Sequence, residues 1–492
     1  MQIRSKALLH YLILFAIAFA AAFSSVYNPF NFRRMHVDSS VYITVTQGIV
    51  RGQFPYQDFA DNKGPFEYLI SVPGYFLGKF TGIWITELIL LFITAIFAYK
   101  TAIMFAEHKI ALLSVIFCFF ALIGFGIVNA GTEEYSLPFL MISLYIFIKY
   151  FILEKHDIKN VKLIILGICF ASAIMIRLNM FPLWAGFCLI IIIELIIKHR
   201  FFQLGKYIFF FLIGTLLVLL PVYLYLKLNG IFDDFFIQVI FGGVKRGFGN
   251  GNVKEIVQNY YSVINRSFSY MPLIFGLVMI IVNYNSQLLS FYIAYTFSCF
   301  LMILFMSFSG GGSHYNIVLI PFFIPVTAFL LKKAEILINN FKRKYLLLIA
   351  MSCFVFSEGI VNYLYDLSKI FHDNTGTQLR NTGRLIDNNT KPGDKIISLG
   401  FNGYIYPFTK RDTASKYIYQ GAGLNHIQGA KEEFISDILN VKPAVIVLFK
   451  AENDIGQIIG DWHSQIFEMI NNEYFILSDE NGFILYKKIN ND

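Results

Sequence analysis

The sequence predicts a polytopic α-helical membrane protein that ends in a soluble α/β domain, and two observations carry that prediction. About eleven apolar runs fill residues 1–365, and after Leu364 no run long enough to span recurs. Crossing the hydrocarbon core takes about 20 apolar residues. Composition agrees, because a chain that is 56% hydrophobic and only 15% charged, with 54 Phe and 29 Tyr, uses lipid as much of its solvent.

The expected spans are Leu8 to Val26, Ile83 to Phe105, Ile110 to Asn129, Ser136 to Leu153, Leu163 to Ile176 and Phe181 to Ile197. They continue with Tyr207 to Leu226, Met271 to Val282, Leu288 to Phe308, Ile317 to Leu331 and Tyr345 to Leu364. The fifth and eighth are short. Parity keeps the eighth: the turn at Lys198, His199 and Arg200 and the turn from Lys332 to Lys344 both read as cytoplasmic, so an even number of spans separates them. The first run follows Arg4 and Lys6 and ends near Ala20 to Ser24, as a signal peptide would, but it is longer than a signal core and many spans follow. It is expected to stay as an anchor. With the N-terminus inside, the short turns bearing Lys155, Lys159 and Lys162, then Lys198, Arg200 and Lys206, then Lys332 to Lys344 are cytoplasmic. The turns Gly131 to Tyr135 and Ser309 to Tyr315, which lack Lys and Arg, face outward. The longer outer loops do carry basic residues, among them Arg33, Arg34, Arg51, Lys63, Lys245, Arg246, Lys254 and Arg266, so the short turns decide.

Two domains are therefore expected: a transmembrane module over 1–365 with an outer loop at 28–82, and an extracytoplasmic α/β domain over 366–492. In the tail, Gly376 to Asp387 reads as a helix, and Lys395 to Leu399 as a strand after the turn Lys391-Pro-Gly-Asp394. Ala444 to Phe449 reads as a second strand, and Tyr474 to Lys487 as a hairpin around Asn481-Gly482. Cys118, Cys169, Cys188, Cys299 and Cys353 all lie inside apolar runs, without zinc-site or disulfide spacing, and read as buried small hydrophobes. The net charge of +8 is dispersed over turns and loops with no continuous basic face, which speaks against a nucleic-acid partner.

That orientation places Asp38, Asp61, Lys63, Glu133, Glu134, His314 and Tyr315 on one side of the membrane, with Arg177 at the outer end of the fifth span. Each has a structural reading beside a functional one. Asp38 could cap a helix starting near Val41, or accept a proton from an acceptor hydroxyl. Lys63 could snorkel to headgroups, or grip a lipid phosphate as a compact charge. Arg177 could anchor its helix at the interface or hold phosphate. Glu133 and Glu134 could cap the fourth helix, favoured by its N-terminal dipole, orient an acceptor, or help bind a divalent cation. His314 and Tyr315, after Gly310 to Gly312, could belong to an aromatic belt or meet a lipid head. The glycine-rich stretch from Gly242 to Gly251 lacks the strand before it and the Lys-Ser/Thr ending of a nucleotide loop, and reads as a mobile outer loop.

The order of these features resembles the polyprenol-dependent GT-C glycosyltransferases, in particular the protein O-mannosyltransferase and aminoarabinose transferase-like group. The resemblance rests on Asp38 after the first span, Tyr42 four residues later, Gly52 and Pro55-Tyr56, the Asp-x-Lys-x-Pro element Asp61 to Pro65, an acid after the third span, and the soluble tail. Within the tail, Pro392-Gly-Asp394, Gly400 and Arg411 before Ala414-Ser-Lys-Tyr417 are similar to bacterial members. Three positions depart from the pattern. Asp38-Ser39 stands where many members have two acids, Lys63-Gly-Pro65 where many have Lys-Pro-Pro, and the pair Glu133-Glu134 leaves two registers for the second acid. The resemblance implies an inverting glycosyltransferase of a bacterial plasma membrane that takes a sugar from a polyprenyl-phosphate donor and passes it to an extracytoplasmic glycan, lipid or protein. A transporter or flippase of lipid-linked saccharides is the rival. It would place ionisable groups at the bilayer midplane on broken helices, often in inverted repeats. A non-catalytic scaffold is the third reading, and it would leave the loop acids freely replaceable.

Overall fold

The computed structural model describes residues 2–30, 37–126, 131–154, 156–248, 253–265, 269–309, 312–338, 344–370, 375–400, 403–420, 427, 429–450, 464–480 and 482–489. Arg33, Arg34, Asn129, Lys155, Gly249 to Gly251, Arg266, Gly310, Gly311, Lys342, Arg343 and Asn481, all named above, lie outside these.

Nine helices open the described chain: α1 (Gln2–Phe23), α2 (Val37–Val50), α3 (Pro65–Leu69), α4 (Ser71–Ala102), α5 (His108–Phe125), α6 (Thr132–Ile152), α7 (Asn160–Ile176), α8 (Pro182–Ile197) and α9 (Phe201–Leu228). Further apolar helices run Met271–Val282, Leu289–Ser307 and Ile320–Leu337. Six helical stretches among the described residues are long and apolar enough to cross a membrane, and four shorter apolar helices accompany them. The expected multi-span architecture is borne out, with local differences. The helix through the second expected span already starts at Ser71 and breaks at Gly78 and Lys79, whose backbone is non-helical. The tenth span opens as a 3₁₀ turn, Ser313–Leu319, ahead of Pro321 in the first turn of the following helix: proline has no N–H to offer the Ile317 carbonyl, which takes the Ile320 N–H instead. The eleventh is two helices, Lys344–Val355 and Ser357–Ile370.

The chain divides into two compact units. The first comprises Met1–Ser25, Trp84–Leu224 and Gly247–Lys369; the second comprises Val26–Ile83, Tyr225–Arg246 and Ile370–Asp492.

In the first unit, helices approach closely where glycine leaves room for a neighbouring backbone. A β-carbon on Gly186 of α8 would lie 2.7 Å from the Ser298 nitrogen of Leu289–Ser307, and one on Gly167 of α7 would lie 2.8 Å from the Thr215 nitrogen of α9. Ser298 Oγ donates across the first of these crossings to the Leu183 carbonyl at 3.2 Å. Lysine-bearing turns close ionic knots around buried acids. Glu194 holds Lys198 and meets His156 Nδ1 at 2.7 Å, and Glu335 meets Lys332 at 3.3 Å and Lys344 at 3.6 Å.

In the second unit, five strands form one mixed sheet in the order β2-β1-β3-β5-β4, with β1 Lys395–Leu399, β2 Asp412–Thr413, β3 Val445–Phe449, β4 Tyr474–Glu480 and β5 Phe483–Lys488. The β1 strand pairs in parallel with β2 and β3, whereas β5 pairs antiparallel with β3 and β4. The helix Thr375–Asn388, both longer strands and the hairpin lie where the sequence predicts them; β2 and the helices Ala430–Val441 and Ser464–Glu473 were not expected. Gly393 (φ 91°) makes the turn before β1 and Gly482 (φ 79°) the hairpin turn, both in the left-handed region that glycine adopts without penalty. Ile397, Leu399, Phe434, Ile438, Ile446 and Ile466 form the core of the sheet, and Ala60 packs against it. Backbone and side-chain bonds tie α2 and its following loop to this sheet region: Gln47 Nε2 donates to the Pro407 carbonyl at 3.0 Å, and Ala60 N to the Lys416 carbonyl at 2.9 Å.

Candidate functional site

The second unit contains Asp38, Asp61 and Lys63; the first contains Glu133, Glu134, Arg177, His314 and Tyr315.

The described part of α2 already runs from Val37, four residues before the expected start, so Asp38 lies inside its first turn and not ahead of it. A carboxylate there is favoured by the partial positive charge of the helix N-terminus. Asp38 is half-buried, while the following Ser39 and Ser40 are fully buried. Ser39 occupies the place where the related pattern often has a second acid, and its hydroxyl has no hydrogen-bond partner among the described residues. Tyr42, one turn after Asp38, presents its ring on the same helix face. The Lys63 ammonium sits over that ring, 5.8 Å from its centre.

Lys63 is held by a tightly built loop. Gly52 (φ 89°) turns the chain after α2, and Tyr56, fully buried, keeps a positive φ of 71°, a conformation uncommon for a residue with a β-carbon. Asp58 Oδ2 accepts from Phe54 N at 2.7 Å, and Tyr56 N donates to the Phe59 carbonyl at 2.9 Å. The Tyr56 hydroxyl donates to the Lys63 carbonyl at 2.8 Å, the Tyr68 hydroxyl to Asp61 Oδ2 at 2.6 Å, and Lys63 Nζ to Asn62 Oδ1 at 2.8 Å. Burial first, and the Asp61 charge second, push both tyrosine hydroxyls well above their usual range, so they remain neutral donors. Gln238 clamps the loop from within a π-helical stretch, Phe236–Phe241. Its Nε2 donates to the Tyr56 carbonyl at 2.7 Å and its Oε1 accepts from Asp61 N at 3.1 Å. Sequence reasoning did not single out Gln238 or Tyr68. The available signal for Gln238 was a lone amide in the run Phe-Ile-Gln-Val-Ile-Phe.

In the first unit, adjacent acids at the start of α6 do different jobs. Glu134 Oε2 accepts from the backbone N–H of Gly131, the residue before the helix, at 2.7 Å. Glu133 forms an ion pair with Arg177, the residue that ends α7, and accepts from Thr132 Oγ1 at 2.8 Å. The Arg177 guanidinium also lies over the Tyr315 ring, 4.7 Å from its centre, and the Tyr315 hydroxyl donates to the Ser309 carbonyl at 3.1 Å. His314 and Tyr315 rings are 4.2 Å apart. The structure thus brings Glu133, Arg177, His314 and Tyr315 together from three elements. Of the two glutamates, one carboxylate faces a guanidinium and the other a backbone N–H. Among the described residues no group of three or more His, Cys, Asp and Glu is placed to hold a metal ion.

The family model described as "Putative competence-induced protein Ccs4 N-terminal domain" matches residues 1–366, most of the chain. The chain belongs to that family. No curated protein matches it. In structure it is similar to ArnT from Cupriavidus metallidurans bound to undecaprenyl phosphate, with a TM-score of 0.62 at 12% identity over 99% of this chain and 98% of that one. The apo form of the same protein gives a TM-score of 0.57 at 13% identity, over 99% of each chain. The archaeal oligosaccharyltransferase AglB from Archaeoglobus fulgidus, in complex with an inhibitory peptide and a dolichol-phosphate, gives 0.52 at 12% identity over 98% of this chain and 74% of that one. At such identities the likeness is one of fold. The chain has a GT-C-like fold, a multi-span helical membrane protein with a mixed sheet region at its C-terminus.

Proposed function

We propose that this protein is a membrane glycosyltransferase that moves a sugar from a polyprenyl-phosphate donor to an extracytoplasmic acceptor. The observation that carries the reading is the pairing of Asp38 and Tyr42 on one face of α2 with a lysine held over the Tyr42 ring by a buried, hydrogen-bonded loop. Support also comes from the GT-C-like fold and from relatives in fold that were solved with undecaprenyl phosphate or a dolichol-phosphate.

In the proposed reaction the acceptor hydroxyl gives its proton to the Asp38 carboxylate as its oxygen bonds to the anomeric carbon. The bond from that carbon to the phosphate oxygen breaks from the opposite side, so the configuration inverts, and the polyprenyl phosphate leaves with the electron pair. Lys63 stabilises the charge that grows on the departing phosphate. One positioned base contributes about 10²- to 10⁴-fold, so the charge stabilisation supplies much of the remaining rate. The two tyrosines that anchor the lysine loop keep the ammonium from relaxing away, which is the preorganisation such stabilisation requires.

Asp38→Asn separates catalysis from a structural role in the first turn of α2, because asparagine keeps the size and an acceptor oxygen and loses only a charge–dipole contribution of about 0.3–1 kcal/mol, but cannot take the proton. The purified variant is expected to fold and bind a polyprenyl-phosphate sugar while transfer falls by about 10²-fold or more. Transfer by folded Asp38→Asn at close to the wild-type rate would overturn the mechanism.

A further inference from the structure

A second feature of the same unit lies at the other end of α2. Arg51, just past the end of α2, is thirteen positions after Asp38, so at 1.5 Å per residue the two are about 20 Å apart along the helix direction. Around Arg51 opens a cleft of about 600 Å³. Its lining includes five cations, Arg51, Lys79, Arg380, Arg384 and Lys410, against one carboxylate, Asp387. That carboxylate is already engaged: it accepts from Thr409 Oγ1 at 2.7 Å and from Lys410 N at 3.0 Å, and lies 4.0 Å from the Arg411 guanidinium. Arg51 has an exposed counter-ion in Asp412 at 3.6 Å, whereas among the described residues Lys79, Arg384 and Lys410 make no ion pair.

Two observations identify what the cleft is shaped to take. Its floor is aromatic, with Phe80 packed between Tyr75 (ring centres 6.2 Å apart) and Phe408 (5.7 Å apart). Beside it, the first part of α4 projects Phe76 and Leu77, 75% and 84% exposed, immediately before Lys79. Lys79 itself is held at φ 50°, ψ −130°, where residues with a β-carbon rarely sit. Lys79 lines the cleft close to the point where these two large apolar side chains are exposed. Cations beside outward apolar anchors are the combination that binds a lipid whose head is anionic.

We infer that this cleft binds the phosphodiester headgroup of an anionic membrane phospholipid, with Arg384, Lys410 and Lys79 on the phosphate and Phe76 and Leu77 among the acyl chains. The site is separate from the proposed transfer site and does not depend on that assignment.

The test uses the full-length protein in detergent, with lipid retention measured by native mass spectrometry for phosphatidylglycerol and for phosphatidylcholine, and with inorganic phosphate as competitor. Wild type is expected to retain phosphatidylglycerol preferentially, and each cation removed to weaken that retention about fivefold, in keeping with about 1 kcal/mol per basic residue at an anionic surface. Arg384→Gln with Lys410→Gln is then expected to lose about 25-fold with the unfolding midpoint unchanged. Phe76→Ser with Leu77→Ser is expected to weaken retention of the diacyl lipid as well. Equal retention by wild type and the charge variant, or a wild type indifferent between the two lipids, would overturn the site. Displacement of the lipid by inorganic phosphate at equal concentration would overturn its assignment to a lipid. The lipid preference and the competition are read on wild type, so the inference stays open to refutation even if a variant fails to fold. Sugar transfer is expected to persist in the charge variant in detergent, which keeps this result distinct from that for Asp38→Asn.

Discussion

Lys63 shows how a single side chain can be useful to phosphate chemistry only because its backbone is fixed. Its carbonyl accepts from the Tyr56 hydroxyl and its ammonium donates to Asn62 Oδ1, so the charge is offered from a defined place over the Tyr42 ring. If it grips the donor phosphate, Lys63→Ala should raise the KM for the donor or lower kcat/KM for it far more than for the acceptor. Lys63→Arg should restore only part of the loss, because a planar fork is not a point charge. Steady-state kinetics against each substrate decide this, and donor dependence unchanged in Lys63→Ala removes the lysine from the site. The motif around Lys63 was legible in the sequence. The buried partners that immobilise it were not, since Tyr68 and Gln238 are ordinary residues until the chain brings them to Asp61.

Among the elements, the start of α6 is the most informative. Two adjacent glutamates are indistinguishable in sequence, but a helix points successive side chains about 100° apart, so one turns back to cap Gly131 while the other reaches Arg177. Their substitutions should therefore differ. Glu134→Gln keeps an oxygen to accept from Gly131 N and loses only the charge at the helix N-terminus, so it should cost less than about 1 kcal/mol. Glu133→Gln leaves the guanidinium of Arg177, whose side chain is 13% exposed, without its counter-charge, and should cost about 3 kcal/mol. Unfolding in detergent reads both, and equal losses would refute the division of labour. The break in α4 belongs to the same scale: hydropathy located the apolar run from Ile83, but nothing in hydropathy marks where Gly78 and Lys79 leave helical geometry.

For the whole molecule, the orientation argument yields one prediction that bears on every residue named here. The short turns rich in lysine are proposed to be cytoplasmic, which puts residues 366–492 outside. Single cysteines introduced at Ser436 or Asn440, on the exposed face of the helix Ala430–Val441, should react with a membrane-impermeant thiol reagent in cells whose plasma membrane is intact. Labelling only after that membrane is disrupted would reverse the topology and remove the basis for a lipid-linked donor at Asp38.

By itself the sequence determined the solvent of the chain and the kind of its elements, a multi-span helical part followed by a mixed α/β tail, while β2, two tail helices and the division of the eleventh span into two helices escaped it. Apolar runs about 20 residues long cannot be satisfied in water, and alternation after Leu364 produced the strands and hairpin of the tail. It also brought forward Asp38 and the Asp61 to Pro65 element, because their spacing is local. Tertiary structure alone decided which distant groups meet: Gln238 with Tyr56 and Asp61, Arg177 with Glu133 and Tyr315, and Arg51 with Arg384 and Lys410 around one cleft. Contacts between residues tens to hundreds of positions apart depend on how helices cross and strands pair, and no local pattern of hydropathy or charge encodes that.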